Sequence, residues 1–424
     1  MTTNGRMPAF FALILLTTSA AYLRPVGGGH MRNGIRFPAA VCLLLCASHS
    51  LSAQQSTGRR PLAPEVRYID VGGYKLRMAV AGSGTPTVVF DSGFGDRLEV
   101  WDDVMPEVSR FARVVAYDRA GLGKSDEALK PRSYRQIATE LHALLQRAGI
   151  RPPYVLVGHS MGGANIRAFA SMYKDEVVGL VFVDPLTEKI FEVASKQELN
   201  AELLRQEASV RNAPAGVQSE WKLLKIDMLN QSAELRSFGK PPDVPAMLLV
   251  AGRDRPRLWA KTVLEQYGTW MIEAREGGIV YTPDNSHYIQ RDEPTLVVSA
   301  IRRVVFPSVH NTLERVIRDK GAGEAVTVYR RMKARYPAEF FSERILNSLG
   351  YEQLRSKHVE AAIALFELNV ETYPNAFNTY DSLGEAYMSR GDRDSAIRNY
   401  RKSLLLNPTN TNAIEMLKKL GATQ

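Results

Sequence analysis

Short apolar runs separated by helix-competent stretches recur from residue 67 to about residue 305, and this alternation limits the fold more than any other feature of the chain. Runs over 67–71, 74–81, 87–90, 114–117, 154–157, 178–183, 246–250 and 279–281 are predicted strands. The first two flank Gly72-Gly73 and are expected to form a hairpin. Helical stretches lie between most of the others, notably 134–148, where Ile137, Leu141, Leu144 and Leu145 recur at helical spacing. Apolar runs of this kind are what strands buried on both faces require. The fold class expected is therefore α/β, a mostly parallel sheet covered by helices.

Within the alternation, Gly158-His159-Ser160-Met161-Gly162 follows the run 154–157 and precedes a helix-competent stretch at 164–173. A serine hydroxyl is a weak nucleophile at neutral pH, so it must be presented on a strained turn beside a base. Strand, tight turn and helix in that order meet the requirement, and the flanking glycines let the turn close. The bare five-residue pattern also arises by chance; its strand and helix context makes Ser160 the candidate nucleophile.

At 424 residues the chain has room for two or three domains, and its 45% hydrophobic and 23% charged residues are ordinary for a globular protein. The net charge of +9 is dispersed among acidic residues with no dense Lys/Arg block, so no nucleic-acid partner is expected. Both cysteines, Cys42 and Cys46, lie in an apolar stretch near the N-terminus. Beyond Ala53 there can be no disulfide and no thiol chemistry. The scattered histidines and the absence of cysteine leave no expected metal site. No cofactor is expected either: Gly121-Leu122-Gly123-Lys124-Ser125 resembles the end of a phosphate-binding loop but lacks its first glycine.

Residues 1–53 read as a leader. Met31-Arg32-Asn33-Gly34-Ile35-Arg36, an apolar core over 37–47 and the small-residue exit Ser50-Leu51-Ser52-Ala53 have the form of a secretory signal, with Met31 as the expected start. A periplasmic or secreted location follows as an expectation. Neither 8–22 nor 37–47 reaches the roughly 18 to 20 apolar residues that spanning a bilayer needs, so no stable transmembrane anchor is expected in the mature chain. Lipidation at Cys46 is disfavoured by the bulk of Leu45 before it.

Four landmarks occur in order: Asp91-Ser92-Gly93-Phe94-Gly95-Asp96, then Tyr117-Asp118-Arg119-Ala120-Gly121-Leu122-Gly123-Lys124-Ser125, then the serine turn, then Ser286-His287-Tyr288. Over roughly residues 64–305 the chain thereby resembles the α/β-hydrolase family. The resemblance implies a triad of Ser, Asp or Glu, and His in that chain order. Serine at 160 sets the chain apart from the similar epoxide hydrolases and haloalkane dehalogenases, which attack through a carboxylate. As base, His142 lies in an amphipathic helix, His159 in the turn itself, and His310 and His358 in a different domain. His287, in a polar loop after the last predicted strand, stands where the family carries its base. A pKa near neutrality suits such a group to proton transfer.

For the acid the family's usual place points to Asp254, in Ala251-Gly252-Arg253-Asp254, although relatives often have two residues between that Gly and the Asp. Asp184, ending the preceding strand in Phe182-Val183-Asp184-Pro185, is the alternative acid. The oxyanion needs two backbone donors: the N–H of Met161 and, by the resemblance, that of Phe94. Relatives commonly have His-Gly where this chain has Ser92-Gly93, so the loop's internal hydrogen bonds must differ. Asp91 and Asp96 beside it are expected to be turn formers. An insertion at about 186–242 carries Leu199, Leu203, Leu204, Trp221, Leu224 and Leu229 and is expected to form a helical lid lining an apolar substrate pocket.

From residue 308 to 424 strands give way to a repeat. Tyr380, Leu383, Gly384, Tyr387, Ala396, Tyr400 and Pro408 resemble the tetratricopeptide pattern, with Tyr in place of its usual Trp. A shift of 34 residues recovers Leu349, Gly350, Ala362, Phe366 and Pro374, and a weaker copy offset by 37 includes Ala325, Tyr329 and Pro337. Such units are expected to stack on neighbours and to offer a protein or peptide docking surface. The whole reads as an exported serine hydrolase, most plausibly a carboxylesterase working through an acyl-enzyme on a small-molecule ester, with an appended interaction module. A serine peptidase for small peptides, a cofactor-free haloperoxidase, and a non-catalytic scaffold remain the alternatives.

Overall fold

The computed structural model describes residues 63–189, 194–230, 232–253 and 257–422. Two compact units divide the chain, Met1–Ile301 and Arg302–Gln424. Residues 1–53, read above as a leader, lie outside the described residues.

In the first unit, eight strands form one sheet: β1 (Glu65–Asp70), β2 (Lys75–Ala81), β3 (Thr87–Asp91), β4 (Arg113–Tyr117), β5 (Tyr154–His159), β6 (Val177–Val183), β7 (Ala246–Ala251) and β8 (Gly277–Thr282). Their spatial order is β1-β2-β4-β3-β5-β6-β7-β8. β1 and β2 form the expected antiparallel hairpin, with Gly72 and Gly73 at φ 127° and 98°, and β2 also runs antiparallel to β4. Every pairing from β4 onward through β3, β5, β6, β7 and β8 is parallel. Burial explains the apolar runs: β3, β5 and β7 are buried along their whole length, whereas edge strand β1 leaves Val66 and Tyr68 about half exposed.

Helices cover both faces. Tyr134–Arg147 begins at Ser133, whose hydroxyl accepts from the Gln136 N–H at 3.0 Å, and buries Ile137, Ala138, Leu141, Leu144 and Leu145. Each fully buried Leu or Ile of this stripe stabilises the fold by roughly 1.5–3 kcal/mol. Among the described residues between β6 and β7 are three helices, Lys196–Val210, Ala215–Leu229 and Ala233–Ser237. Trp221 and Leu224 are buried there, while Leu204 and Leu229 face solvent. Because β3 lies between β4 and β5, the connections leaving the C-terminal ends of β3 and β5 diverge. A crevice opens at such a point in an α/β sheet.

The second unit is all helical. After Val309–Lys320 and Ala322–Lys333 come two pairs, Glu343–Arg355 with Val359–Thr372 and Phe377–Arg390 with Arg393–Leu406, and then Thr411–Lys419. The repeat's small and aromatic positions meet within each pair. A Cβ on Gly350 would lie 2.4 Å from the Phe366 ring, and one on Gly384 would lie 2.9 Å from the Tyr400 ring. The weaker copy has the same aromatic position, buried Tyr329. Its longer offset arises in the linker, where the 3-10 turn Ala338–Phe340 lengthens the path between Pro337 and the next helix. Gly350→Ala is expected to destabilise this unit by about 1–3 kcal/mol through overpacking. A denaturant titration followed by circular dichroism checks this, and an unchanged transition would show that the Phe366 ring yields freely.

Candidate active site

Ser160 follows β5 directly and caps the helix Met161–Met172 with φ 53° and ψ −118°. A non-glycine residue in such a conformation stores on the order of 1–3 kcal/mol, so its surroundings must hold it. They do so through backbone bonds: Ser160 N–H donates to Val183 C=O at 3.1 Å, and Ser160 C=O accepts from Gly163 and Leu186 N–H, both at 2.9 Å. The flanking glycines are sterically required. A Cβ on Gly158 would stand 2.4 Å from the Gly162 carbonyl oxygen, and one on Gly162 would stand 2.2 Å from that of Asp91. As the first helical residue, Met161 has no intrahelical acceptor for its N–H, which lies at the positive end of the helix dipole.

β6 pairs with β5 so that Val183 stands opposite His159, which brings Asp184 to the same edge of the sheet as Ser160. Asp184 is fully buried at φ 41°, a second strained residue beside the first. Its N–H donates to Leu249 C=O at 2.8 Å, and its Oδ1 accepts from Ala251 N–H at 3.2 Å. Its Oδ2 lies 2.7 Å from His287 Nδ1. His287 follows β8, and the residue is 8% exposed. A carboxylate at Nδ1 keeps the proton on that nitrogen, so in the neutral ring Nε2 carries the lone pair. The carboxylate described at His287 Nδ1 is that of Asp184, the alternative acid of the sequence reading. Asp254 itself lies outside the described residues.

The loop after β3 completes the site. Asp91 pairs with Gly158 across β3 and β5, so Ser92, Gly93 and Phe94 emerge beside the serine turn. Ser92 takes up bonds suited to its own hydroxyl: its Oγ accepts from Trp101 Nε1–H at 3.1 Å and donates to Arg97 C=O at 3.3 Å. Arg119 lies beneath the loop and uses all five of its N–H groups. Nη1 donates to Asp91 Oδ1 at 2.9 Å and Ser92 C=O at 2.6 Å; Nη2 donates to Gly93 C=O at 2.6 Å and Glu220 Oε2 at 3.0 Å; Nε donates to Glu220 Oε1 at 2.5 Å. Burial opposes the charge on Arg119, but Glu220 and Asp91 outweigh it and hold the guanidinium protonated.

One expectation changes here. Asp91 is no simple turn former: buried, with its carboxyl raised by burial, it accepts from Arg119, from Tyr117 Oη at 2.5 Å and from Asn165 Nδ2 at 2.8 Å. Sequence reading missed Arg119 and Glu220 as a pair, because 101 positions separate them. Arg119 at least stood inside a matched motif. His159 also has a role in placing the base, since its Nε2–H donates to the backbone carbonyl of His287 at 2.9 Å.

Asp96 does shape the turn, its N–H donating to Gly93 C=O at 3.2 Å, but its side chain, 18% exposed, also lies 3.8 Å from His159 Nδ1. Burial pushes the Asp96 carboxyl up to about 6, against the pull of Arg291 and Arg119. The folded chain therefore holds this proton more tightly than the unfolded chain, whose Asp titrates near 3.8. Stability falls as pH rises through that window, and the deficit persists above it. Asp96→Asn, neutral throughout, is expected to gain on the order of 2 kcal/mol over the parent chain at pH 7.5 and to lose the advantage below about pH 4. Thermal midpoints measured across pH check this; an advantage independent of pH would contradict it.

Among the described residues no group of three or more His, Cys, Asp or Glu could hold a metal ion, and no helix is long and apolar enough to cross a membrane. Residues 377–410 match the tetratricopeptide repeat family. Curated relatives include the uncharacterized protein YqjL of Bacillus subtilis (strain 168), 26% identical over 221 residues, covering 52% of this chain and 83% of that protein. An AB hydrolase superfamily protein of Gibberella zeae is 34% identical over 24% of this chain and 34% of its own length. The dihydrolipoyllysine-residue acetyltransferase component of the acetoin cleaving system of Cupriavidus necator is 30% identical over 36% of this chain and 44% of its own. The chain thus spans less than half of the latter two. Similar solved structures include a bromoperoxidase from Bacillus anthracis (16% identity, TM-score 0.42, 56% of this chain and 98% of that one). A thermophilic esterase from Thermogutta terrifontis is another (21% identity, TM-score 0.38, 56% and 97%). The family model for the alpha/beta hydrolase fold matches residues 86–301, just over half of the sequence, and the chain belongs to that family.

Proposed function

We propose that the first unit is a serine hydrolase acting on carboxylic esters through an acyl-enzyme, with Ser160 as nucleophile, His287 as base and Asp184 as the orienting acid. The observation that carries the reading is the 2.7 Å bond from Asp184 to His287 Nδ1 at the edge of the sheet where the strained Ser160 stands. Ser160 Oγ attacks the ester carbonyl carbon while Nε2 of His287 takes its proton. The charge that develops on the carbonyl oxygen is met by the N–H groups of Met161 and Phe94. Collapse expels the alkoxide, which leaves as the alcohol with the proton from His287. Water, deprotonated by the same nitrogen, then releases the acid and restores Ser160. Asp184 holds the ring in the productive tautomer and stabilises the imidazolium without taking the proton.

The second unit serves in this reading as a docking module for a protein or peptide, supported by the tetratricopeptide match. Export rests on the signal-like stretch ending at Ala53. N-terminal sequencing of the protein recovered from the periplasm or medium is expected to start after Ala53; residues upstream of it in that fraction would overturn export by cleavage. The catalytic reading is tested with short-chain p-nitrophenyl esters: a burst of p-nitrophenol equal to the enzyme concentration, then steady turnover, is expected. No hydrolysis by the folded chain across acyl lengths would contradict it.

A further inference from the structure

Glu220 belongs to the middle helix of the insertion, Ala215–Leu229, yet its carboxylate is wholly buried under the loop that follows β3. Oε2 accepts from Gly95 N–H at 2.9 Å and from Arg119 Nη2–H at 3.0 Å, and Oε1 accepts from Arg119 Nε–H at 2.5 Å. Arg119 in turn donates to the carbonyl oxygens of Ser92 and Gly93. These bonds fix the peptide planes of the loop one after another. The Gly93–Phe94 peptide is trans, so its C=O and N–H point in opposite directions. Drawing the Gly93 oxygen onto Arg119 therefore turns the Phe94 N–H away from Arg119.

The same helix is seated by contacts that tolerate no side chain. A Cβ on Gly216 would lie 1.9 Å from the Gly121 carbonyl oxygen, and one on Gly121 would lie 2.6 Å from Gly216 Cα. Val217 of the next position reaches within 3.4 Å of where a Cβ on Gly95 would stand. Backbone apposition and a buried ion pair thus tie this helix both to the loop after β4 and to the loop after β3.

We propose that Glu220 is a positioning residue for the second oxyanion donor: through Arg119 and Gly95 it sets the Gly93–Phe94 peptide, so the oxyanion site is complete only with the insertion helix in place. The proposal rests on the serine-hydrolase reading. It makes the insertion part of the catalytic geometry. A mis-set donor weakens binding of the tetrahedral oxyanion and leaves binding of the planar ester almost unchanged.

The test compares the full chain with Glu220→Gln and Glu220→Ala, measuring kcat and KM on a short-chain ester and inhibition by a trifluoromethyl ketone, whose adduct with a serine carries an oxyanion. Loss of a whole oxyanion donor costs roughly 10²–10³ in kcat, so mis-setting one is expected to cost roughly 10- to 100-fold. KM should stay within about twofold while ketone affinity falls by the same factor as kcat/KM. Glu220→Gln, which keeps the volume and one acceptor, should lose less than Glu220→Ala. Unchanged kcat in both variants overturns the proposal, and so does a loss carried by KM with ketone affinity intact. If Glu220→Gln also fails to fold, Glu220 is a folding residue and the proposal falls. A folded parent chain with neither turnover nor ketone binding sinks the underlying reading instead.

Discussion

Ser160→Ala is expected to lower ester turnover by roughly 10⁵–10⁶-fold, the scale on which a serine hydrolase loses its nucleophile. The substitution deletes only the oxygen that attacks. It also removes nothing that holds the turn, because the bonds fixing residue 160 run through its backbone N–H and C=O. Folding should therefore be preserved, and stability is expected to stay within about 1 kcal/mol of the parent. Parallel measurement of turnover and thermal midpoint separates the two effects. A variant that keeps even a hundredth of the activity would mean that the chemistry does not pass through Ser160.

The second large effect belongs to Asp184. Asp184→Asn is expected to cut kcat by roughly 10³–10⁴-fold with little change in KM, because an amide at Nδ1 no longer selects the tautomer with its lone pair on Nε2 and cannot stabilise the imidazolium. The Asn side chain can still accept from the Ala251 N–H, so the local fold has a substitute for that bond. Asp254→Asn serves as the control and is expected to retain activity within about tenfold. Reversal of the two results would return the acid's role to Asp254.

The choice of carboxylate shows where the sequence stops informing. Two neighbouring strands, β6 and β7, each lead to an aspartate within a few residues of their C-terminal ends, and both aspartates follow apolar runs of similar composition. What brings Asp184 to the base is backbone geometry at one position. Asp184 takes φ 41° directly after β6, and this carries Oδ2 to within 2.7 Å of His287. No pattern of residue types encodes that angle, since aspartate occupies left-handed conformations in many turns without catalytic use.

Strands were legible for the opposite reason. β3, β5 and β7 are buried on both faces, so their burial is written directly as apolar runs. The serine turn was legible because steric limits at Gly158 and Gly162 leave glycine as the residue that fits. His287 was reached by its position after the last strand. The buried cluster of Asp91, Arg119 and Glu220 was not, because a salt bridge between residues 101 positions apart leaves no local periodicity. Charged residues in an insertion also read, by default, as a solvated face.

The central claim is that Ser160 is an activated nucleophile, and covalent labelling tests it without knowledge of the substrate. The folded chain would be treated with a fluorophosphonate, digested, and the modified peptide located by mass spectrometry. The account predicts stoichiometric phosphonylation at Ser160, with labelling abolished in Ser160→Ala and slowed by several orders of magnitude in His287→Ala. A folded chain that stays unmodified, or one modified at another residue, would contradict it.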